Sequence, residues 1–310
     1  MQPCGRLNRG IACLFSGEFV RARVVLEQCY TTENSADRAA IRAVSVLPED
    51  PYVVLLAYLA VSLGYLGYVE AARSRAREAL LEASQLGLYQ LAWASLHASW
   101  IECVVGSPYD LRQHAEQTAS LASEHGFSFH LAWGLIYRGW SMSALGEPEE
   151  GYSLITEGLS MHRATGSVAC TVQALTLLAD ACNRLRRTTE GLDHLIEAER
   201  IIETANDCYY EAELHRVRGD LLNGIGDPSG AERSYQQAIA VAKRQSAKMF
   251  ELRASTRIAR VWRDQGKRHE ARDLLAPVYG WFTEGFDTLD LKEAKALLEE
   301  LGLRKRRMRF

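Results

Sequence analysis

The sequence has almost no net charge and little proline. Its 36 Lys and Arg residues stand against 39 Asp and Glu residues, so the overall composition favours neither nucleic acid nor an anionic membrane as a partner. Only 7 prolines occur in 310 residues, and 47% of the residues are hydrophobic, which excludes a collagen-like or a disordered chain. We therefore expect a protein with an apolar core.

Cysteine is also sparse, and its spacing is not that of a metal or disulfide framework. The count of seven is odd, no C-x-x-C occurs, and no Cys/His cluster has the spacing of a zinc site. We expect reduced cysteines that fill small spaces between helices in a cytoplasmic protein. The seven are Cys4, Cys13, Cys29, Cys103, Cys170, Cys182 and Cys208.

Targeting and membrane segments are not expected. The apolar run Ile11–Phe15 is too short for the core of a signal peptide. The uncharged stretch from Pro51 to Val69 approaches the length of a membrane span, but it contains Gly64 and leads directly into the charged segment Glu70–Glu82. We predict a helix buried in the protein at this place and no transmembrane segment.

Motifs that carry catalysis are lacking as well. Gly5 and Gly10 have the glycine spacing of a phosphate-binding loop, but Ile11 follows where the loop requires lysine. The glycines between Gly224 and Gly230 do not have the spacing of a dinucleotide fingerprint, and neither H-E-x-x-H nor G-x-S-x-G occurs. We predict that the chain is not an enzyme and has no cofactor and no metal site.

An internal repeat is the strongest signal that is present. A turn element, in most cases Gly followed by a polar residue and a new helix, recurs with a spacing that settles at 40 residues. Five residues after each turn the sequence mostly has Ala or Gly, which two helices need where they cross closely. The turn residues are Gly17, Gly67, Gly106, Gly146, Arg186, Gly226 and Gly266.

One of these repeats resembles the tetratricopeptide repeat. Gly219, Ala231, Tyr235 and Ala238 stand at the spacing of the tetratricopeptide consensus, although the ideal repeat has about 34 residues and this one has 40. The resemblance implies an all-α fold, a right-handed α–α superhelix of about seven helix pairs with a C-terminal capping helix. We divide the chain into a degenerate first repeat and long connection (1–50), the repeats and cap (51–302) and a basic tail (303–310).

The amino-acid sequences of several segments resemble a more specific group of proteins. Residues 10 to 302 look like the C-terminal arm of bacterial signalling proteins, in which a nucleotide cyclase or a LuxR-type DNA-binding module accompanies an AAA-type ATPase. The resemblance implies a regulatory arm that works with an ATPase or cyclase in the same chain or in another, although nothing in this sequence matches those modules. The segments are Leu14–Gln28, Leu66–Leu80, Tyr210–Leu222 and Leu274–Leu301.

A partner site is predicted on the concave face. The first helix of each pair lines that face, and equivalent positions recur every 40 residues, as in the column of Trp100, Trp140, Asp180, Asp220 and Arg260. Three neighbouring columns change together from aromatic or small through acidic and amide to basic. The predicted partner-binding residues are Trp100, Trp140, Asp180, Asn183, Glu213, Arg216, Asp220, Asn223, Arg253, Arg260 and Arg263.

The residues of these columns are compatible with three interpretations. In one, the groove binds an extended or helical protein segment with hydrophobic and acidic side chains. In another, the groove binds a metabolite, and the chain is a small-molecule sensor. A purely structural interpretation has the tryptophans packed between helices and the charges paired across repeats.

The C-terminal region adds two expectations. The aromatic and glycine-rich segment 279–287 is predicted to form a packed corner before a last helix, Asp290–Leu301, that is capped by Thr288 or Asp290. The basic tail Arg304–Arg309 is short, and we interpret it as a solvated end, so that nucleic acid is an unlikely partner.

Overall fold

The chain folds into helices joined by tight turns. A computed structural model describes residues 3–32 and 48–302, so that the basic tail and most of the connection after the first repeat lie outside the described residues. The helices in these two ranges are α1 Pro3–Phe15, α2 Phe19–Thr32, α3 Pro51–Tyr65, α4 Val69–Leu86, α5 Leu88–Val105, α6 Pro108–His125, α7 Ser128–Ala144, α8 Pro148–Ala164, α9 Thr171–Arg184, α10 Thr188–Ala205, α11 Glu211–Gly224, α12 Pro228–Gln245, α13 Lys248–Asp264, α14 Arg268–Tyr279 and α15 Leu289–Gly302.

The helices of the described ranges form seven antiparallel pairs and a final helix, as the repeat predicted. Each predicted turn residue joins the two helices of a pair and has a left-handed backbone conformation, which explains the glycines at six of the seven places. Arg186 adopts the same conformation without being glycine. The φ values are 74° for Gly17, 88° for Gly67, 79° for Gly106, 104° for Gly146, 58° for Arg186, 79° for Gly226 and 85° for Gly266.

Small residues allow the helices of a pair to approach closely. In the α7–α8 pair, a Cβ atom placed on Gly139 would lie 2.6 Å from the carbonyl oxygen of Gly151. The predicted small positions are all buried, and so is the one Leu among them. They are Ala22, Ala72, Leu111, Gly151, Gly191, Ala231 and Ala271.

The uncharged stretch after residue 50 forms α3 and is buried as predicted. Every residue of this helix except Tyr58 is buried, and the carboxylate of Asp50 caps its N-terminus by accepting hydrogen bonds from the amides of Tyr52 and Val53 at 3.0 and 3.2 Å. Within the described ranges, no helix combines the length and the hydrophobicity that crossing a membrane would demand.

The superhelix closes on itself. The odd-numbered helices from α3 to α13 form an inner layer, and α13 contacts both α3 and α5. The carbonyl oxygen of Phe15, at the end of α1, accepts hydrogen bonds from the amides of Cys208 and Tyr209, which precede α11. The larger of the two hydrophobic clusters in the described residues therefore runs from Leu7 to Leu301, and much of the inner layer belongs to it.

The aromatic corner takes part in this closure. Phe282 is buried, and the ring of Trp281 lies edge-on to Tyr68 at 5.6 Å, beside the turn that joins α3 to α4. Thr288 caps α15 by accepting a hydrogen bond from the amide of Leu291 at 3.5 Å. The corner is packed, as predicted, and it also seals the last repeat against the second.

Candidate functional site: two adjoining charged clefts

Two clefts open where the inner helices converge on the cap helix α15. The first cleft is a cavity of about 270 Å³, and its walls come from the α5–α6 turn and from helices α7, α9, α11, α13 and α15. The second cleft lies beside it between α9, α11 and α13. Asp180, Arg184 and Arg257 line both, so we treat them together as the double cleft.

Arg216 lies at the base of the first cleft and is surrounded by carboxylates. Its Nε atom donates to both oxygens of Glu213 at 3.0 Å, it forms an ion pair with Asp220, and it approaches Asp180 to 3.7 Å. The side chain of Arg216 is 9% exposed. Although burial opposes the charged form, these carboxylates hold the pKa of Arg216 well above its usual value.

Asp180 links the two clefts. Burial alone raises the pKa of its carboxyl, but the nearby guanidinium groups of Arg184 and Arg216 outweigh that effect and lower the pKa to about 2. The indole Nε1 of Trp140 also donates to Asp180 at 3.2 Å, from a position 40 residues earlier. The carboxylate is therefore ionised at any physiological pH and is fully engaged.

Arg253 joins four parts of the fold. It donates to Asp290 at 2.6 Å, and its two terminal nitrogens reach Glu213 at 3.5 Å and the carbonyl oxygens of Cys103 and Val104 at 3.1 and 2.7 Å. Those carbonyl groups end α5 and have no partner inside the helix, so a cation satisfies them well. Arg253 thus connects α13 to α5, to α11 and to the cap.

At its base the double cleft has carboxylates paired with buried arginines, whereas its rim carries exposed arginines together with the exposed acidic residues Glu293 and Asp264. The side chains of Glu213, Asp180 and Asp220 are only 4%, 7% and 11% exposed. Arg184 and Arg257 are 36% and 39% exposed, and in the described structure each forms an ion pair with one carboxylate, at 3.2 and 3.5 Å. Because a guanidinium has five N–H donors, both arginines retain donors that face the solvent.

The structure brings most of the predicted partner-binding residues together. The exceptions are Trp100, whose indole donates to the Tyr65 hydroxyl at 2.9 Å inside the core, and Arg263, which pairs with Asp264 and Glu300 beside the clefts. Trp100 fits the alternative in which tryptophans pack between helices. The residues that line the double cleft are Trp140, Asp180, Asn183, Glu213, Arg216, Asp220, Asn223, Arg253 and Arg260.

Sequence reasoning missed Arg184 and Arg257, the most exposed arginines of the double cleft. Neither belongs to a 40-residue column of charged side chains. Each lies four residues after a predicted site residue, Asp180 and Arg253, and therefore on the same face of its helix. That i, i+4 relation is the signal that would have found them.

Comparisons with known proteins identify the fold. No family model matches the chain, and no curated protein matches it either. Among solved structures, a Rap protein complexed with competence and sporulation factor is 14% identical with a TM-score of 0.66, over 96% of this chain and 87% of that one.

Two further structures are similar over most of their length. NprR in complex with its cognate peptide NprX is 14% identical, with a TM-score of 0.61 over 96% of this chain and 82% of NprR. Aspartyl phosphate phosphatase F from Bacillus subtilis is 11% identical, with a TM-score of 0.57 over 92% and 70% of the two chains. At these identities the likeness establishes the fold, a tetratricopeptide-like α–α superhelix.

Proposed function

We propose that this chain is a non-catalytic scaffold that binds a segment of another protein in the double cleft. The observation that carries the proposal is the pair Arg184 and Arg257, which are shared by both clefts and keep exposed donors above a base of buried, already paired carboxylates. Ligand sites combine a concave surface with a few convergent polar groups, and the double cleft has both.

The exposed arginines at the rim indicate which kind of segment the double cleft would bind. Guanidinium groups bind carboxylates in a two-pronged geometry, and Trp140 offers a partly exposed apolar wall in the first cleft. We therefore expect a segment with Asp, Glu or a free C-terminal carboxylate next to an aliphatic or aromatic side chain. The NprR structure, a complex with a peptide, supports a peptide as the type of ligand.

The wider context is also part of this proposal. The sequence resemblance favours a regulatory arm that acts with a signalling ATPase or nucleotide cyclase, in the same chain or in another. In that role the double cleft would bind the partner segment, and the closed superhelix would transmit the effect of binding to the neighbouring module.

A small-molecule sensor is the second candidate. The first cleft holds about 270 Å³, close to the lower end of the range of about 300–1,000 Å³ that is typical of small-molecule sites. A carboxylated metabolite would use the same arginines. This candidate differs from the first in the size of the ligand and not in the residues that bind it.

The first test is a selection of random peptides on the purified chain. We expect enriched peptides to contain the acidic and apolar pair, and the double variant Arg184→Gln/Arg257→Gln to bind them about ten-fold or more weakly in fluorescence polarisation, since a charge-assisted hydrogen bond contributes about 1.5–3 kcal/mol. The matched control is Arg200→Gln/Arg233→Gln, which removes two exposed arginines elsewhere. Equal binding by the wild type and the cleft variant would contradict the site.

The wild type and the cleft variant also distinguish the two candidate functions. If no peptide is enriched, a panel of di- and tricarboxylic acids is tested for an increase in the melting temperature of the wild type. An increase that the cleft variant loses would support the sensor in place of the scaffold.

A further inference from the structure

Three side chains with metal-binding chemistry meet on one helix pair away from the double cleft. The thiol of Cys182, one carboxylate oxygen of Glu190 and one ring nitrogen of His194 all lie within 4.8 Å of one another. Their spacing in the sequence fits no local zinc motif, which is why the sequence predicted no metal site. We propose that these three residues bind a divalent ion of the zinc class between α9 and α10.

The helix pair fixes the geometry of this cluster. Glu190 and His194 are four residues apart on α10, so their side chains share one face of that helix, and Cys182 faces them from α9. Gly191 allows the approach, because a Cβ atom at this position would lie 3.2 Å from the Cβ of Cys182. The cluster is therefore a product of the close packing of the two helices.

The histidine has a buried ring nitrogen, Nε2, without a hydrogen-bond partner among the residues that the structure describes. Burial also lowers the pKa of His194. An unpaired buried polar atom costs free energy, and coordination to a metal would satisfy it.

The cysteine and the glutamate balance the charge of the ion. Burial raises the pKa of the Cys182 thiol to about 12, so coordination must release its proton: the S–H bond breaks, an S–metal bond forms, and the proton passes to the solvent. Thiolate and carboxylate together then neutralise a dication in this partly buried place.

Neighbouring residues already hold the glutamate in position. The hydroxyl of Tyr152 donates a hydrogen bond to Glu190, as partners of metal ligands commonly do. The guanidinium of Arg187 lies 3.9 Å from Glu190 and stacks over the ring of Tyr152 at 5.0 Å. Arg187 is 46% exposed, so solvent screens its repulsion of a metal ion and leaves it free to turn outward.

The donor set selects the class of metal. Thiolate and imidazole favour zinc, cobalt and related ions over magnesium or calcium, which prefer oxygen ligands. Bond lengths of about 2.0–2.3 Å place the ligands of a tetrahedral zinc ion about 3.2–3.7 Å apart, which small side-chain rotations reach from the present separations. With three protein ligands, the fourth position is open to water.

Cobalt(II) is the most direct probe, because a thiolate bound to it gives a charge-transfer absorption band in the near ultraviolet. We expect titration of the reduced, metal-free chain to produce this band with one equivalent of Co²⁺, and Zn²⁺ to displace it. Cys182→Ser should abolish the band, and His194→Ala and Glu190→Gln should weaken Co²⁺ binding at least ten-fold. Affinity should increase from pH 6 to pH 8, since coordination releases the thiol proton.

Two matched controls test the assignment. Cys208→Ser removes a partly exposed cysteine outside the cluster, and His269→Ala removes the exposed histidine beside Asp273, so both should leave the titration unchanged. The absence of a band in the wild type, or a band that persists in Cys182→Ser, would overturn the proposal. Should Cys182→Ser fail to fold by circular dichroism, the half-buried His194→Ala decides: a folded His194→Ala chain that binds Co²⁺ like the wild type overturns it equally.

Discussion

At the scale of single residues, Asp207 is a buried carboxylate whose burial is poorly compensated. It lies in the turn between α10 and α11 with 7% of its surface exposed, and neither carboxylate oxygen has a hydrogen-bond partner of normal geometry within the described residues. Burial raises its pKa to about 6, and the nearby backbone of Cys170 offsets only part of that increase. The folded chain therefore holds this proton more tightly than the unfolded chain does.

The sign of the effect on stability follows. The folded pKa of about 6 lies above the ordinary value of 3.8, so stability is lost as the pH rises from about 4 through 6. We expect Asp207→Asn to stabilise the chain by about 2–3 kcal/mol at pH 8 and by much less at pH 4, as measured by urea unfolding. Asp193→Asn, at an exposed site on α10, is the matched control. An identical pH profile of stability for the wild type and Asp207→Asn would refute the explanation.

Some residue contacts were predictable and others were not. Trp140 contacts Asp180, and Glu213 contacts Arg253, in each case across 40 residues, because the repeat period places equivalent side chains next to each other. The burial of Asp207 was not predictable, since the turn that carries it is covered by the end of α1 through the carbonyl of Phe15. No local pattern records that contact.

At the scale of helices, the backbones of α7 and α8 approach each other so closely at Gly139 that a single substitution can test their packing. A Cβ atom on Gly139 would meet the carbonyl oxygen of Gly151 at 2.6 Å and the amide nitrogen of Ile155 at 2.9 Å. Both atoms belong to the backbone of α8 and cannot move aside alone. The pair is therefore held at a distance that only glycine permits.

We expect Gly139→Ala to destabilise the chain by about 1–3 kcal/mol, even though alanine favours a helix more than glycine does. Gly5→Ala is the matched control, because that position is helical and open, and the change there should be neutral or slightly stabilising. Both variants are compared by urea unfolding at constant pH. A Gly139→Ala chain as stable as the wild type would show that α8 can shift.

Helices and turns were the most predictable elements, because a 40-residue period repeats the same signal. The cluster of Cys182, Glu190 and His194 was not, since its ligands come from two helices and meet through the packing of those helices. A search for ligand spacing along the chain detects sites within one helix or loop. It does not detect a site that two helices build together.

At the scale of the whole molecule, Arg253 makes some of the contacts that close the superhelix. Its contacts tie α13 to the end of α5 and to the cap, and its side chain is 11% exposed. We expect Arg253→Met to destabilise the chain by about 3–5 kcal/mol, because it leaves Glu213 and Asp290 with less compensation for their burial.

Two measurements distinguish opening from general unfolding. In Arg253→Met, amide hydrogen exchange should become faster at the end of α5 and in α15 first, and the radius of gyration from small-angle scattering should increase. Arg260→Met, which removes an arginine paired with Glu293 at the rim, should change neither. Uniform exchange in Arg253→Met, without a change in size, would contradict a role in closure.

The closure of the superhelix could not be predicted from the sequence. The period predicts the helix pairs and the direction in which they stack, but the curvature of the stack is the sum of small rotations between neighbours. Over seven pairs these rotations decide between an open groove and a closed ring. For this reason the predicted groove became two clefts, while Trp100 became part of the core.

The contact of Arg253 with Cys103 and Val104 spans 150 and 149 residues of sequence. An open array of repeats gains stability one neighbour at a time, and its ends can fray without disturbing the middle. Here contacts join helices that are distant in the sequence. The entropic cost of closing such a long loop is offset by contacts that no single repeat contains. The chain should accordingly fold as one cooperative unit, more like a compact domain than like a stack whose repeats can be removed one by one.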